Sequence, residues 1–512
     1  MLALLLLMFS FMNCSSDNDS EETAEETEET DDTDDDTTDT GTISITDGAS
    51  SGTAEGDTSN DAADEDDILA NSTFDTTVSI VYSGTSATVT NPLDGNGVTV
   101  TQDNGDITVE ATVAGVQYNL SGTTTDGSFK IYSEKKFLIN LNGVSITNSD
   151  GPAINNQSGK RTFVVLSDTN SLTDGATYSN IPDDEDAKAA FFSEGQLIFS
   201  GSGTLNVKGN YKHGIASDDY VRVINGTINV TAAPSDGIHT NDAFIADGGT
   251  ISLYVESDAI EVEEGYIVIN NGTFEINAGD DGIAASYETD TTIDPYVTIN
   301  GGDFVIVAAG EGIESKTTLT INDGSFEIEA VDDGLNAGSA IYFNGGSLYV
   351  NSSTNDAIDS NGTLTITGGT IVAIGAAAPE ASFDNDNNTF KITGGNLVGI
   401  GGSASTPTSS ATTQHTVVAG NYGSANSILH IQAADGTEAL TFLVPKSYST
   451  MVFSNGKMEG STTYKIFKGG SVSGGEDFHG LYTSGTYTAG TQQSTTFTTN
   501  STVTQVGVTG GR

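Results

Sequence analysis

The chain has 512 residues, among them 61 Gly, 8 Pro, 1 Cys and no Trp, and 16 Lys+Arg against 71 Asp+Glu give a formal charge of −55. A polyanion of this size repels nucleic acid, and a lone cysteine excludes an intrachain disulfide. An acidic polysaccharide is repelled as well, unless a cation bridges the two.

The chain opens with an almost wholly apolar run that ends just before Asn13-Cys14-Ser15. It is too short to span a bilayer and reads as the hydrophobic part of a signal peptide. Residues 1–14 are thus expected to be a lipoprotein-type signal ending at an acylated Cys14, which places the protein outside the cytoplasm. It would be lipid-anchored at the bacterial cell envelope, at the outer membrane or cell surface, and touch the membrane only through that anchor. Residues 15–75 are rich in Asp, Glu, Thr and Ser, with few large apolar residues. Such a stretch cannot bury a core and predicts a disordered, self-repelling spacer.

Residues 76–140 hold alternating segments such as Val98-Thr99-Val100 and Ile107-Thr108-Val109, which predict an N-terminal β cap over open strand edges. A repeat then governs residues 141–402. An acid followed by Gly or Ala and an aliphatic residue recurs at Asp236, Asp258, Asp281, Glu311, Asp333 and Asp356, and His213-Gly214-Ile215 is a variant. A second, out-of-phase series places glycine at 249, 272, 302, 324, 346 and 369. Both series step by 22–23 residues and both lengthen once, so one insertion near residues 286–295 explains both. Large residues alternate within each segment, as in Ile267, Ile269, Phe274 and Ile276. That is the period of a strand. A unit this short cannot bury its own apolar face, so units must stack. The expected fold is all-β, a parallel β-helix of about 22–23 residues per coil with inward residues piled into columns. Residues 403–413 read as a linker, and residues 414–512 as a small C-terminal β region.

Stacking turns repeat positions into columns. The first holds Asp236, Asp258, Asp281, Glu311, Asp333 and Asp356; the second, three residues later, holds His239, Glu261, Ala284, Glu314, Asn336 and Asp359. Carboxylates on rungs ~4.8 Å apart repel, and a calcium ion between rungs, with oxygen ligands at about 2.3–2.6 Å, would relieve the repulsion. Asp-Gly turn chemistry accounts for the first column but not for the acids of the second. The candidate metal ligands are therefore Asp258, Glu261, Asp281, Glu311, Glu314, Asp333, Asp356 and Asp359, with Asp280 and Asp332 nearby. His213 and His239 read as turn-surface residues. Lys316 reads as a salt-bridge partner rather than a lyase base. Tyr211, Tyr220, Tyr254, Tyr266 and Tyr342 are candidates either for sugar stacking or for packing.

Several stretches resemble a bacterial carbohydrate-binding β-helix family whose founding member is a clostridial surface protein. They run from Leu141-Asn142-Gly143-Val144 through Gly151-Pro152-Ala153-Ile154, with Gly201-Ser202-Gly203-Thr204-Leu205 and Gly209-Asn210-Tyr211-Lys212-His213-Gly214-Ile215 following. The resemblance implies a right-handed parallel β-helix, bound calcium, and affinity for acidic plant polysaccharide such as polygalacturonate (pectin), with cellulose a further ligand and no established catalysis. The resulting expectation is a monomeric, calcium-dependent carbohydrate-binding protein. A calcium-dependent polysaccharide lyase and a cell-surface adhesin are the alternatives.

Overall fold

The computed structural model describes residues 40–44, 52–59, 63, 65–179, 181–287 and 289–508. The signal-like run, Cys14 and the acidic stretch up to residue 39 lie outside the described residues.

Between Thr76 and Gly401 the chain is a parallel β-solenoid of about 13 turns, with antiparallel strands at its ends. A typical coil has three strands. Ile313–Ser315 is short, Thr318–Ile321 follows, and Ser325–Ala330 is longest. Each pairs in parallel with its equivalent one coil on, at Leu335–Ala337, Ala340–Phe343 and Ser347–Ser352. Alternate residues of Thr273–Ala278, Asp303–Ala308 and Ser325–Ala330 face inward and are buried. Register then stacks like on like: Phe274, Phe304 and Phe326 are partners in successive coils. Their rings lie nearly parallel, with centroids 4.7 and 4.6 Å apart. This is the rung spacing expressed in side chains.

The two glycine series answer different needs. Gly249, Gly272, Gly302, Gly324, Gly346 and Gly369 all have φ between +79° and +142°, so the turn before the long strand demands the left-handed region. Gly282 and Gly312 do not. There a Cβ would strike the next coil's backbone, at Gly312 O and 2.5 Å from Gly334 O respectively. Ala259 and Ala357 stand at the equivalent position of their own coils, where one methyl is accommodated. The insertion lies where both series lengthen, between Ile283–Ala285 and Tyr296–Ile299.

Parallel pairing already begins at Thr76–Gly84 with Val116–Thr124, within the stretch read as a cap. Only Ser86–Thr90 and Val98–Asp103 fold back as antiparallel hairpin partners. At the other end, Thr450–Ser454 pairs antiparallel with the solenoid strand Asn396–Gly401, so the C-terminal region covers an edge that would otherwise be open. Residues read as a linker are laid onto the last coil, with Ser405 N donating to Phe383 O and Thr408 N to Phe390 O.

The described part of the acidic N-terminal stretch is also ordered against the fold. Thr40–Ser44 adds an antiparallel strand to Ser484–Thr498. Gly52–Ser59 then crosses the face of the middle strands, with Gly52 N donating to Thr367 O and Asn300 Nδ2 donating to Ser59 O. Further on, Arg161 binds both Asp66 and Asp67. For these residues the expected free spacer gives way to an arm that returns along the solenoid. The reason is that docking here rests mainly on hydrogen bonds and ion pairs, with Ile43 buried against Ile428, Phe467 and Tyr487, an apolar content too sparse to signal order from composition.

Candidate metal centre

The three-residue strands position the acids. Register makes His239, Glu261, Ala284, Glu314, Asn336 and Asp359 one column, as expected. The first column stands just before each short strand, where the chain turns. Its carboxylates reach up one coil: Asp258 Oδ1 accepts from Asp281 N at 2.8 Å, Asp281 Oδ1 from Glu311 N at 2.7 Å, and Asp333 Oδ1 from Asp356 N at 3.0 Å. One oxygen of each acid thus closes a turn. The other is left for a second partner.

Among the described residues, three groups of carboxylates have ligand oxygens within 4.8 Å of one another. They are Asp236, Asp258 and Glu261; Asp258, Asp280 and Asp281; and Asp356, Asp359 and Asp384. Asp280 is exposed, and Asp258 and Asp281 are half-buried, so the second group opens to solvent. In the third group Asp356 and Asp384 are buried.

Of the expected ligands, Asp258, Glu261, Asp281, Asp356 and Asp359 therefore fall into such groups. Glu311, Glu314 and Asp333 fall outside these groups, with Glu311 set against Asp281. Glu314 is bound by Lys316 Nζ at 2.5 Å, and Asp333 Oδ2 accepts from Asn336 Nδ2 at 3.0 Å. Asp236 enters as a ligand candidate, and so does Asp384. Asp384 bridges to Asp359 one coil further on, where the repeat has lost its glycine signal. An acid standing close to one coil length after Asp359 was the available clue.

Burial raises several of these acids, and neighbouring carboxylates add to it. Asp258 is pushed up to about 7, opposed by the hydrogen bond from Asp281 N, with Asp236, Glu261 and Asp280 adding to the rise. Asp281 is pushed up to about 9, chiefly by burial and then by Glu311. Asp333 reaches about 8, and Asp356 about 7 beside Asp384 and Asp359. Carboxyls held this close to neutrality without a cation are sites that a divalent cation would re-ionise. An all-oxygen set with an open side suits calcium rather than a transition metal.

The column ends differently at its first rungs. His213 and His239 are buried, not turn-surface residues, and their rings stack at 4.2 Å. Asp236 Oδ2 lies 2.9 Å from His213 Nδ1 and 3.2 Å from His239 Nδ1. Burial lowers His213 to about 4, so it is neutral. For His239 burial is outweighed by Asp236 and Glu261, and it rises to about 9. A protonated His239 thus does for Asp236 and Glu261 what a cation would do higher in the column.

A family model described as "Carbohydrate-binding domain-containing protein" matches residues 103–354 and 285–387, more than half of the chain. The chain belongs to this family. A carbohydrate-binding domain-containing protein of Acetivibrio thermocellus is 30% identical over 176 residues, which is 32% of this chain and 62% of the relative. The chain therefore spans less than two thirds of the length of that relative. Among solved structures, the polysaccharide lyase-like protein from C. thermocellum, as a gadolinium derivative, is similar at 22% identity and a TM-score of 0.38, covering 57% of this chain and 99% of that one. The matched region of this carbohydrate-binding family contains all three carboxylate groups.

Proposed function

We propose that the protein binds acidic polysaccharide, polygalacturonate in the first instance, through calcium held on the carboxylate column, without cleaving it. The observation that supports this reading is the solvent-open group Asp258, Asp280 and Asp281. On a chain of charge −55, an anionic glycan meets repulsion until a cation reverses the local sign. Calcium takes six to eight oxygens, so the protein's carboxylates leave positions for uronate oxygens. In keeping with the sequence, the protein would be exported and held at the cell envelope through Cys14.

The lyase alternative is disfavoured at its named base. Burial lowers the affinity of Lys316 for its proton, but the Glu314 carboxylate more than offsets this, and the ammonium is held above its ordinary range. A proton-abstracting base needs the opposite shift.

Polygalacturonate should bind in calcium and be released by chelator, with no ultraviolet-absorbing unsaturated product. Asp280→Asn with Asp281→Asn should weaken binding at least about tenfold, the scale on which ligand-shell changes alter metal affinity. Affinity electrophoresis checks this. Equal binding in chelator, or no loss in the double variant, would remove the calcium bridge.

A further inference from the structure

We propose that the arm Gly52–Ser59 is the built-in occupant of a second glycan-binding groove, one that takes an extended neutral polysaccharide when the arm lifts. The proposal rests on the carbohydrate-binding character of the family but not on the calcium column.

The groove runs across the middle strands, parallel to the solenoid axis. Its floor is an asparagine ladder: Asn344 Nδ2 donates to Asn322 Oδ1, and Asn322 Nδ2 to Asn300 Oδ1, each at 2.8 Å. Each of these amides has a second N–H, and the arm takes it. Asn300 donates to Ser59 O at 3.0 Å, Asn322 to Asp57 O at 2.8 Å, and Asn344 to Glu55 O at 2.8 Å. In return, Glu55 N donates to Asn344 Oδ1 at 3.0 Å and Asp57 N to Thr320 Oγ1 at 3.2 Å. Two side-chain bonds accompany them: Thr298 Oγ1 donates to Asp57 Oδ2 at 3.0 Å, and Lys391 binds Glu55.

The groove therefore reads mainly a row of main-chain donors and acceptors, not a side-chain sequence. Sugar hydroxyls both donate and accept, and a linear glycan presents them at regular steps. The second element of such a site is an aromatic face. Tyr342 supplies one, and the arm covers it with Gly56, its one residue there without a side chain. A Cβ on Gly56 would lie 2.5 Å from the Tyr342 ring and 2.7 Å from Thr320 Oγ1, and its φ is +77°. Beside the arm a cleft of about 470 Å³ stays open, lined by Tyr296, Thr298, Thr320 and Tyr342 with Asp57 and Asp294. That is within the size range of small-ligand sites. Tyr296 also stacks on Tyr266 at 5.0 Å, extending the aromatic surface by one coil. Asp294, which stays on the wall when the arm lifts, disfavours a uronate at this tyrosine face. Neutral sugar is the class that remains.

While the arm is docked, affinity is reduced by the fraction of molecules with an empty groove. Gly56→Val should dislodge the arm without altering the groove, because the valine clashes with Tyr342 and dislikes positive φ. A second variant, with Gly52–Ser59 replaced by a Gly/Ser stretch of equal length, removes the specific arm contacts while keeping Thr40–Ser44 connected. Cellohexaose and xylohexaose binding should be measured by calorimetry on the full chain in EDTA, where the calcium site is silent. We expect both variants to bind at least one of these probes roughly tenfold or more tighter than the unaltered chain, a closed fraction of about nine-tenths or above. Asn322→Ala with Tyr342→Ala in the arm-released background should abolish the gain. Unchanged affinity in both released variants would overturn the proposal, as would a gain that survives loss of Asn322 and Tyr342.

Discussion

Replacing Phe304 by Ala should lower the free energy of unfolding by about 3–5 kcal/mol, the cost of a large buried cavity. Phe304 is the middle ring of three and is 2% exposed. Its removal takes one partner from Phe274 and one from Phe326, and ring pairs carry about 0.5–1.5 kcal/mol beyond their buried area. The column cannot close over the gap, because backbone pairing fixes the rungs at ~4.8 Å. Phe304→Leu keeps most of the volume and should cost clearly less. Val305→Ala, one residue on and pointing outward at 48% exposure, should change stability by under about 0.5 kcal/mol. Chemical denaturation monitored by circular dichroism tests the order. If Phe304→Ala and Val305→Ala proved alike, the inward column would not be the core.

The metal-free protein should lose stability as pH rises from 5 to 8, and calcium should reverse the trend. Asp258, Asp356, Asp333 and Asp281, at about 7, 7, 8 and 9, all stand above the ordinary carboxylate value near 3.9. A carboxyl whose folded pKa is raised binds its proton more tightly in the folded state. Its contribution is complete below the unfolded pKa and is lost as pH climbs through the folded one. The window therefore runs from about 4 to 9. Calcium binds the ionised form, so its affinity grows over the same window. At a concentration of one hundred times Kd it would add about 2.7 kcal/mol per independent site by mass action. Thermal melts in chelator and in calcium, at pH 5, 6, 7 and 8, check both slopes. A chelated protein that melts higher at pH 8 than at pH 5 would contradict the carboxyl assignment. Calcium that leaves the melt unmoved at pH 8 would exclude the metal.

Much of the solenoid was legible because its constraints are local and repeated. Each glycine at a left-handed turn is irreplaceable in its own coil, so the series at 249 through 369 survives as a visible period. The inward columns follow from the two-residue alternation. The candidate site was legible only as columns. Periodicity put Glu314 and Asp359 in one column correctly, but it could not show that Lys316 claims Glu314 while Asp384 joins Asp359. Those partners come from side-chain reach and from a coil whose repeat has decayed. His213 and His239 were misplaced for a related reason. A polar residue beside a turn is ordinarily exposed, and here stacking on a like residue with Asp236 between them makes burial tolerable. The arm was invisible to composition, because an acidic Thr-rich segment that docks mostly through its main chain, with little beyond Ile43 buried, carries a weak apolar signature.

Solenoids are quasi-one-dimensional, and their ends fray independently because each coil meets only its neighbours. The arm changes that. It joins Ser484–Thr498 at one end, crosses the coils around Asn300 to Asn344, and is held by Arg161 near the other. Its hydrogen bonds to Asn300, Asn322 and Asn344 link residues 241 to 289 positions apart in sequence, so they can form only on coils already wound. The arm acts as a late-closing latch that ties the melting of the first coils to that of the last. A chain with the arm released should therefore unzip from its ends in stages, seen as a broadened or split thermal melt beside that of the unaltered chain.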